Sequence, residues 1–389
     1  MFMSPPPGFE MMGQDKVCRL KKSLYGLKQS PRAWFERFGK AVKSHGYHQS
    51  QADNTMFYKR SEKGKISILI VYINDIILTG DDSEELVNIK KKLARDFEIK
   101  DLGLLKYFLG MEFARSRKGI FVNQRKYILD LLSETGLLGC KAADSPLDAN
   151  LKLDPAKAKD VIDKEKFQRL VGKLIYLSHT RPDIAFAVSM VSQYMHSPGR
   201  EHFNATYRIL RYLKGTPGKG LMFRKNNNLQ IEVYTDADWV GCTTDRRSTS
   251  GYCTFIGGNL VTWRSKKQNV VARSSVEVEF RSLAHGISEA IWLKRLFEDL
   301  KISVSYPMKV YCDNKAAISI THNPVLHDRT KHIEVDKHFI KEKIESGLIC
   351  LSYVPTTDQI ADILTKGLHK GQFELLVSKL AMENIFKPA

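Results

Sequence analysis

From Gly220 onward the chain turns to strand-like segments at 231–240, 251–257 and 260–264, then a long helix-period stretch at about 276–299, a strand at 307–312 and further helices. Strands followed by helices imply a separate α/β domain, since each element buries one face and needs another layer to cover it. The chain has 389 residues, more than one core usually fills, so two or three domains are expected.

Upstream the pattern differs. Residues 66–79, ISILIVYINDIILT, are two β-branched runs broken at Asn74-Asp75, which reads as a hairpin with a polar pair at its turn. Leu86, Ile89, Leu93 and Phe97 then recur at helical spacing after Asp81-Asp82-Ser83, giving an α+β unit. Residues 144–166 are polar and read as a connector, and the first boundary is placed there. Helical patterns follow: Leu170, Leu174 and Leu177; Ala185, Val188, Val191 and Tyr194 after Arg181-Pro182-Asp183; and Ala205 to Leu213 before Gly215-Thr216-Pro217-Gly218. The expected division is therefore 1–150, 151–220 and 221–389, and no internal repeat suggests a solenoid.

Lys plus Arg number 61 against 43 Asp plus Glu, a net charge of +18 that points to a polyanion, nucleic acid first. Residues 16–35, 202–231 and 246–276 contain no acid at all. The first of these interleaves Lys16, Arg19, Lys21, Lys22, Lys28 and Arg32 with Tyr25, Trp34 and Phe35, the mixture that neutralises phosphates and stacks on bases. A solvated face is the competing reading for any one stretch. The longest apolar run, Ile68 to Ile73, is too short to span a bilayer, so no membrane segment or membrane partner is expected. The N-terminus does not read as a secretory signal, and an intracellular protein, in cytoplasm or nucleus, is expected. Cys18, Cys140, Cys242, Cys253, Cys312 and Cys350 form no CxxC pair, which suits reduced thiols. The spacings of His322, His327, His332 and His338 match no common zinc set.

Acids recur where strands end and helices begin. The segment IEVYTDADWV puts Asp236 and Asp238 on one strand face. Glu277 and Glu279 open the long helix, Asp313 follows the strand MKVYC, and Asp358 and Asp362 lie in TTDQIADILTK. Clustered carboxylates repel one another and usually persist by holding divalent cations, and hard oxygen ligands suit Mg²⁺. Two such ions ~4 Å apart would stabilise attacking and leaving oxygens in phosphodiester cleavage. Singly, each acid also reads as a solvated charge or cap, Asp313 for NKAAISI and Asp358 for the last element.

The sequence closely resembles the reverse transcriptase and ribonuclease H region of copia-type retrotransposon Pol polyproteins. The resemblance runs along nearly the whole chain: PPGFE at 6–10, LKKSLYGLKQSPRAW at 20–34, YINDIILTG at 72–80, DLGLLKYFLGMEF at 101–113, VGKLIYLSHTRPDIAFAV at 171–188, ILRYLKGTPGKGL at 209–221, TDADWVGC at 235–242, DRRSTSGYC at 245–253, ARSSVEVEF at 272–280, YCDNKAAI at 311–318, RTKHIEVDKHF at 329–339 and DQIADILTK at 358–366.

The resemblance implies a multidomain α/β and α+β chain: a partial reverse-transcriptase palm and thumb at 1–150, a helical connection at 151–220, and a ribonuclease H-like mixed five-stranded sheet with flanking helices at 221–389. In this family the palm carries a Tyr-x-Asp-Asp turn and an upstream aspartate. Here the turn is Tyr72-Ile73-Asn74-Asp75, with an amide in place of the first carboxylate, and the upstream aspartate is expected before PPGFE. DNA polymerisation by this chain alone is therefore not expected. By the same resemblance Asp236, Glu279, Asp313 and Asp362 are the metal-binding, catalytic carboxylates of a ribonuclease H that cuts the RNA strand of RNA–DNA hybrids with two Mg²⁺ ions. Glu279 rather than Glu277 is assigned, since two positions on a helix differ by about 200°. Lys28, Arg32, Arg246, Arg247, Arg264, Lys266, Lys267 and Arg273 are the expected contacts to an RNA–DNA hybrid or other nucleic acid, and protein partners are left open. The loop Val354-Pro355-Thr356-Thr357 lacks the histidine that many ribonucleases H carry before the last aspartate. Leu24, Tyr25 and the 66–79 hairpin are expected to leave an exposed apolar patch. The alternative is a non-catalytic remnant that binds nucleic acid.

Overall fold

The computed structural model describes residues 2–4, 17–21, 28, 30–73, 75–156, 163–226, 228–241, 244–322 and 334–386. The chain forms two compact units, Met1–Gly103 and Leu104–Ala389.

In the first unit helix α1 (Ser30–Ser44) precedes strands β1 (His48–Gln49), β2 (Met56–Arg60), β3 (Ile66–Tyr72) and β4 (Asp75–Gly80), and helix α2 (Ser83–Asp96) follows. The four strands pair in chain order, all antiparallel. Alternation in β3 turns Ser67, Leu69 and Val71 inward, where Leu69 and Val71 meet Phe38 and Val42 of α1 and Ile89 and Leu93 of α2. Asp82 caps α2 by accepting the Glu85 N–H at 3.1 Å. The expected hairpin is present, with Tyr72 opposite Asp75 and its turn residues Tyr72 and Ile73 exposed. Leu24, Tyr25 and Asn74 lie outside the described residues.

The second unit has two sheets. Strands β5 (Tyr107–Phe108), β6 (Met111–Ser116) and β7 (Gly119–Asn123) lead into helices α3 (Arg125–Glu134), α4 (Lys164–Leu177), α5 (Ala185–Ser192) and α6 (Arg200–Gly215). Next come β8 (Lys219–Arg224), β9 (Gln230–Ala237), β10 (Thr249–Ile256), β11 (Asn259–Lys267), α7 (Ser275–Asp299), β12 (Ser305–Cys312), α8 (Lys315–His322), α9 (Glu334–Glu345) and β13 (Ile349–Tyr353). Two 3₁₀ turns, Thr356–Asp358 and Ile360–Leu364, precede α10 (Lys370–Lys379) and β14 (Met382–Asn384).

The expected mixed five-stranded sheet runs β11-β10-β9-β12-β13, antiparallel across β11, β10 and β9 and parallel across β9, β12 and β13. Ile231 and Val233 of β9 pack with Phe280, Leu283 and Ile287 of α7 in one core. Cys253, Phe255 and Leu260 join a second core with α3 to α6 and α10. The sheet is thus covered by α7 on one face and by the helical segment on the other.

The boundary at 103 differs from the one expected near 150, and the reason is pairing between distant strands. An antiparallel sheet β14-β8-β7-β6-β5 binds Leu221 opposite Val122 and Met382, so 107–123, 219–224 and 382–384 are one ladder. The expected connector is packed where it is described, because Leu147 and Leu153 are buried and the Asp154 carbonyl meets His202 Nε2 at 3.0 Å. Two of the capping roles are corrected as well. Asn314, not Asp313, caps α8 by accepting the Ala317 N–H at 3.0 Å. Gln359 caps the 360–364 turn through the Ala361 N–H, while Asp358 pairs with Lys379 at 2.6 Å. Among the described residues no helix is long and apolar enough to cross a membrane.

Candidate metal centre and nucleic-acid face

Strand β9 ends at Ala237, so Asp236 is its last inward acid and Asp238 leaves the strand. Glu279 sits on the first turns of α7, whose Ser282 hydroxyl donates to the Asp236 carbonyl at 2.7 Å and the Gly251 carbonyl at 3.1 Å, pinning the helix to β9 and β10. Asp313 follows β12, the strand parallel to β9, so the two carboxylates emerge at the same sheet end. Asp236, Glu279 and Asp313 each offer an oxygen, and these atoms lie within 4.8 Å of one another. They line a cleft of about 530 Å³ together with Lys315, Tyr353 and Lys366.

Asp362 lies in the 360–364 turn beside this group but outside the trio. It reaches Asp236 through Lys366, whose Nζ is 2.9 Å from Asp362 Oδ1 and 3.2 Å from Asp236 Oδ1. Thr365 donates its hydroxyl to the other oxygen of Asp236. Gln359, fully buried, ties the turn to β9 by donating to the Thr235 carbonyl at 2.9 Å. Gly251 makes the approach possible: a Cβ there would stand 2.7 Å from Thr365 Cγ2 and 2.8 Å from Leu364 Cβ.

Burial dominates the electrostatics. It raises the carboxyl pKa of Asp236, with Asp313 adding repulsion against the opposing pull of Lys366. Glu279 is pushed well above the carboxylate range, by burial first and then by Asp236 and Asp313. Asp362 is lifted to about 7, by burial first and then by Asp236. Burial works against the ammonium of Lys366, but Asp236 and Asp362 outweigh it and its pKa is raised. All donors are hard carboxylate oxygens carried by separate elements around under-compensated negative charge, a set that fits Mg²⁺ rather than a soft metal.

The remaining acids have other partners. Glu277 binds Arg281 at 2.6 Å and accepts the Arg273 N–H at 2.7 Å. Asp238 accepts the Thr249 N–H, and burial lifts its carboxyl to about 7. Thr356 donates to Asp313 Oδ2 at 2.9 Å, so the loop without a histidine still touches the centre through a hydroxyl. The sequence gives Lys366, Thr365 and Gln359 no role at the site, and it places Thr356 in the loop without showing its bond to Asp313. The signal for Lys366 was its spacing of four from Asp362, the one that makes side chains neighbours on a helical turn.

Arg264 and Lys266 alternate along β11 and are exposed at a cavity of about 300 Å³ that also takes in Tyr252, Gln268, Arg281 and His285. Lys267 is held by Asp245 and the Gln193 amide oxygen, each at 2.8 Å. Arg246 and Arg247 are exposed, Arg246 at φ +55° and Arg247 with its Nε 3.9 Å from Asp245. Arg273 is exposed just before α7. In the first unit Lys28 and Arg32 are exposed, Arg32 on α1. Tyr72 and Asp75 flank the hairpin turn, whose Asn74 is outside the described residues. Of the histidines, His322 ends α8 and His338 lies 3.8 Å from Glu334, while His327 and His332 are outside the described residues.

Residues 1–149 match the family model described as reverse transcriptase (RNA-dependent DNA polymerase). The chain is 41% identical over 388 residues to the retrovirus-related Pol polyprotein from transposon RE1 of Arabidopsis thaliana, covering 99% of this chain and 26% of that protein. It is 30% identical over 293 residues to the putative transposon Ty5-1 protein of Saccharomyces cerevisiae, covering 74% of this chain and 95% of the relative. The N-terminal ribonuclease H domain of a Mycobacterium tuberculosis protein aligns with 39% of this chain and 98% of its own at 13% identity, with a TM-score of 0.28. The chain belongs to the family of copia-type retrotransposon Pol polyproteins. It spans about a quarter of the length of the first curated relatives it matches.

Proposed function

We propose that the chain is a reverse transcriptase and ribonuclease H fragment whose surviving activity is hydrolysis of the RNA strand of RNA–DNA hybrids at the Asp236, Glu279, Asp313 and Asp362 centre. The observation that carries this reading is the meeting of Asp236, Glu279 and Asp313 within 4.8 Å at the end of the mixed sheet. Asp236, Glu279 and Asp313 would hold one divalent cation, and Asp236 with Asp362 a second. Bound there, magnesium supplies Lewis acidity for the attacking water and the departing 3′ oxygen.

The chain's own residues do the rest. Ser282 and Gln359 hold the ends of β9, α7 and the 360–364 turn in register, so the carboxylates are positioned before substrate arrives. Thr356 fixes the Asp313 carboxylate. Arg264, Lys266, Arg246, Arg247 and Arg273 neutralise backbone phosphates, and the A-like shape and 2′-hydroxyls of the hybrid select the cut strand. Hydrolysis adds water across the P–O3′ bond, leaving a 5′ phosphate and a 3′ hydroxyl.

The hairpin at 66–80 is assigned no polymerase activity in this chain, because its turn sequence Tyr72-Ile73-Asn74-Asp75 offers one carboxylate, Asp75, where a metal-holding pair needs two. The full chain incubated with Mg²⁺ and a hybrid labelled on its RNA strand should cut that strand, and Asp313→Asn should not. Absence of cutting by the folded wild-type chain would reject the ribonuclease reading, and primer extension by it would reject the inactive hairpin.

A further inference from the structure

Lys366 occupies the edge of the centre that the trio leaves open. Its Nζ bridges Asp236 Oδ1 at 3.2 Å and Asp362 Oδ1 at 2.9 Å, and both carboxylates are 1% exposed. Asp236 therefore has two faces: with Glu279 and Asp313 it borders the open cleft, and with Asp362 it meets the ammonium. An ammonium on a flexible stem is a compact charge with three donors, and it cannot share the space between two carboxylate oxygens with a divalent ion. The stem is rooted four residues after Asp362, so the competitor is always present at high effective concentration. The Lys366 side chain is one-third exposed, which leaves it a way out along the cleft.

Resting on the metal centre proposed above, we propose that Lys366 is a positioning residue that competes with the second divalent cation. The first ion enters at Asp236, Glu279 and Asp313 without disturbing it. The second enters between Asp236 and Asp362 only by displacing the ammonium, so loading is sequential and the second step is weak until a substrate phosphate adds negative charge. Lys366 meanwhile keeps Asp236 and Asp362 from repelling each other, holding the turn closed before the second ion arrives.

The test counts Mn²⁺ bound to the full-length protein by electron paramagnetic resonance, at one pH, without nucleic acid. Wild type should show a first step and a clearly weaker second one. Lys366→Met should tighten the second step about tenfold or more while moving the first by less than about threefold, because the tethered charge is gone. Lys366→Arg, which keeps the charge, should retain the weak second step. An unchanged or weaker second step in Lys366→Met overturns the proposal and leaves the metal centre standing, whereas no Mn²⁺ step at all in wild type rejects the metal centre itself. Should Lys366→Met fail to fold, amine labelling of wild type read by mass spectrometry decides. Lys366 reactivity should rise across the second step, and a flat or falling profile overturns the proposal.

Discussion

The most costly single change outside the centre should be at Arg181 and Asp183, which are wholly buried among the helices of the second unit. Arg181 binds Asp183 through two bonds, Nε to Oδ1 at 2.9 Å and NH2 to Oδ2 at 2.7 Å. It also donates to the Thr216 carbonyl at 2.9 Å and the Thr216 hydroxyl at 2.8 Å, while Tyr212 donates to Asp183 at 2.6 Å. Asp183→Asn keeps the shape and leaves a buried guanidinium without its counter-charge, which costs about 3–5 kcal/mol. In a unit of this size that lowers Tm by roughly 6–10 °C. Replacing both partners, Arg181→Met with Asp183→Leu, should cost less than the sum of the singles by about 1–3 kcal/mol. Burial pushes the Asp183 carboxyl up, but the charge and hydrogen bonds of Arg181 outweigh it and the folded pKa lies below the usual value. Its contribution is therefore present above pH ~4 and lost as pH falls through the folded pKa, and Asp183→Asn should flatten that acid limb. Thermal and urea unfolding of the full chain measure all of this. A loss under about 1 kcal/mol for Asp183→Asn, or strict additivity in the double variant, would refute the reasoning.

Three further outcomes follow from the geometry. Gly251→Ala should shift the 360–364 turn away from β10, costing about 1–3 kcal/mol in urea unfolding and reducing hybrid cleavage, because its Cβ would stand 2.7 Å from Thr365 and 2.8 Å from Leu364. Arg264→Ala and Lys266→Ala should each weaken hybrid binding and lower the slope of log K against log salt by about 1, read by fluorescence anisotropy across a salt series. Burial holds His202 below the usual imidazole pKa, and its Nδ1 accepts the Gly199 N–H at 2.8 Å. The unfolded chain then takes the proton first, so the urea midpoint should fall as pH drops below ~6.5, a slope that His202→Gln should remove.

What could be read in advance was local. The β-branched alternation of 66–72 and 230–237 and the long period of 275–299 each fix one element, and acids at strand ends mark the end of a sheet where loops converge. What escaped depends on partners far along the chain. The pairing of 119–123 with 219–224, and of 219–224 with 382–384, has no signature within any one segment, so a compact unit beginning at Leu104 is not legible from the sequence. Arg181-Pro182-Asp183 carries no local sign of its buried network, because Tyr212 and Thr216, which complete it, lie about thirty residues downstream. Asp313 and Asn314 are equally good caps by type, and packing chose the amide. The acids themselves were legible as a group, whereas the cation that bridges two of them was hidden among the chain's many lysines.

The most direct test uses the full chain with Mg²⁺ and an RNA–DNA hybrid labelled separately on each strand, analysed for the ends it produces. Cuts are expected in the RNA strand alone, with 5′ phosphate and 3′ hydroxyl ends, abolished by Asp236→Asn and by Glu279→Gln. Cutting of the DNA strand, 3′ phosphate products, or activity that survives either substitution would contradict this expectation.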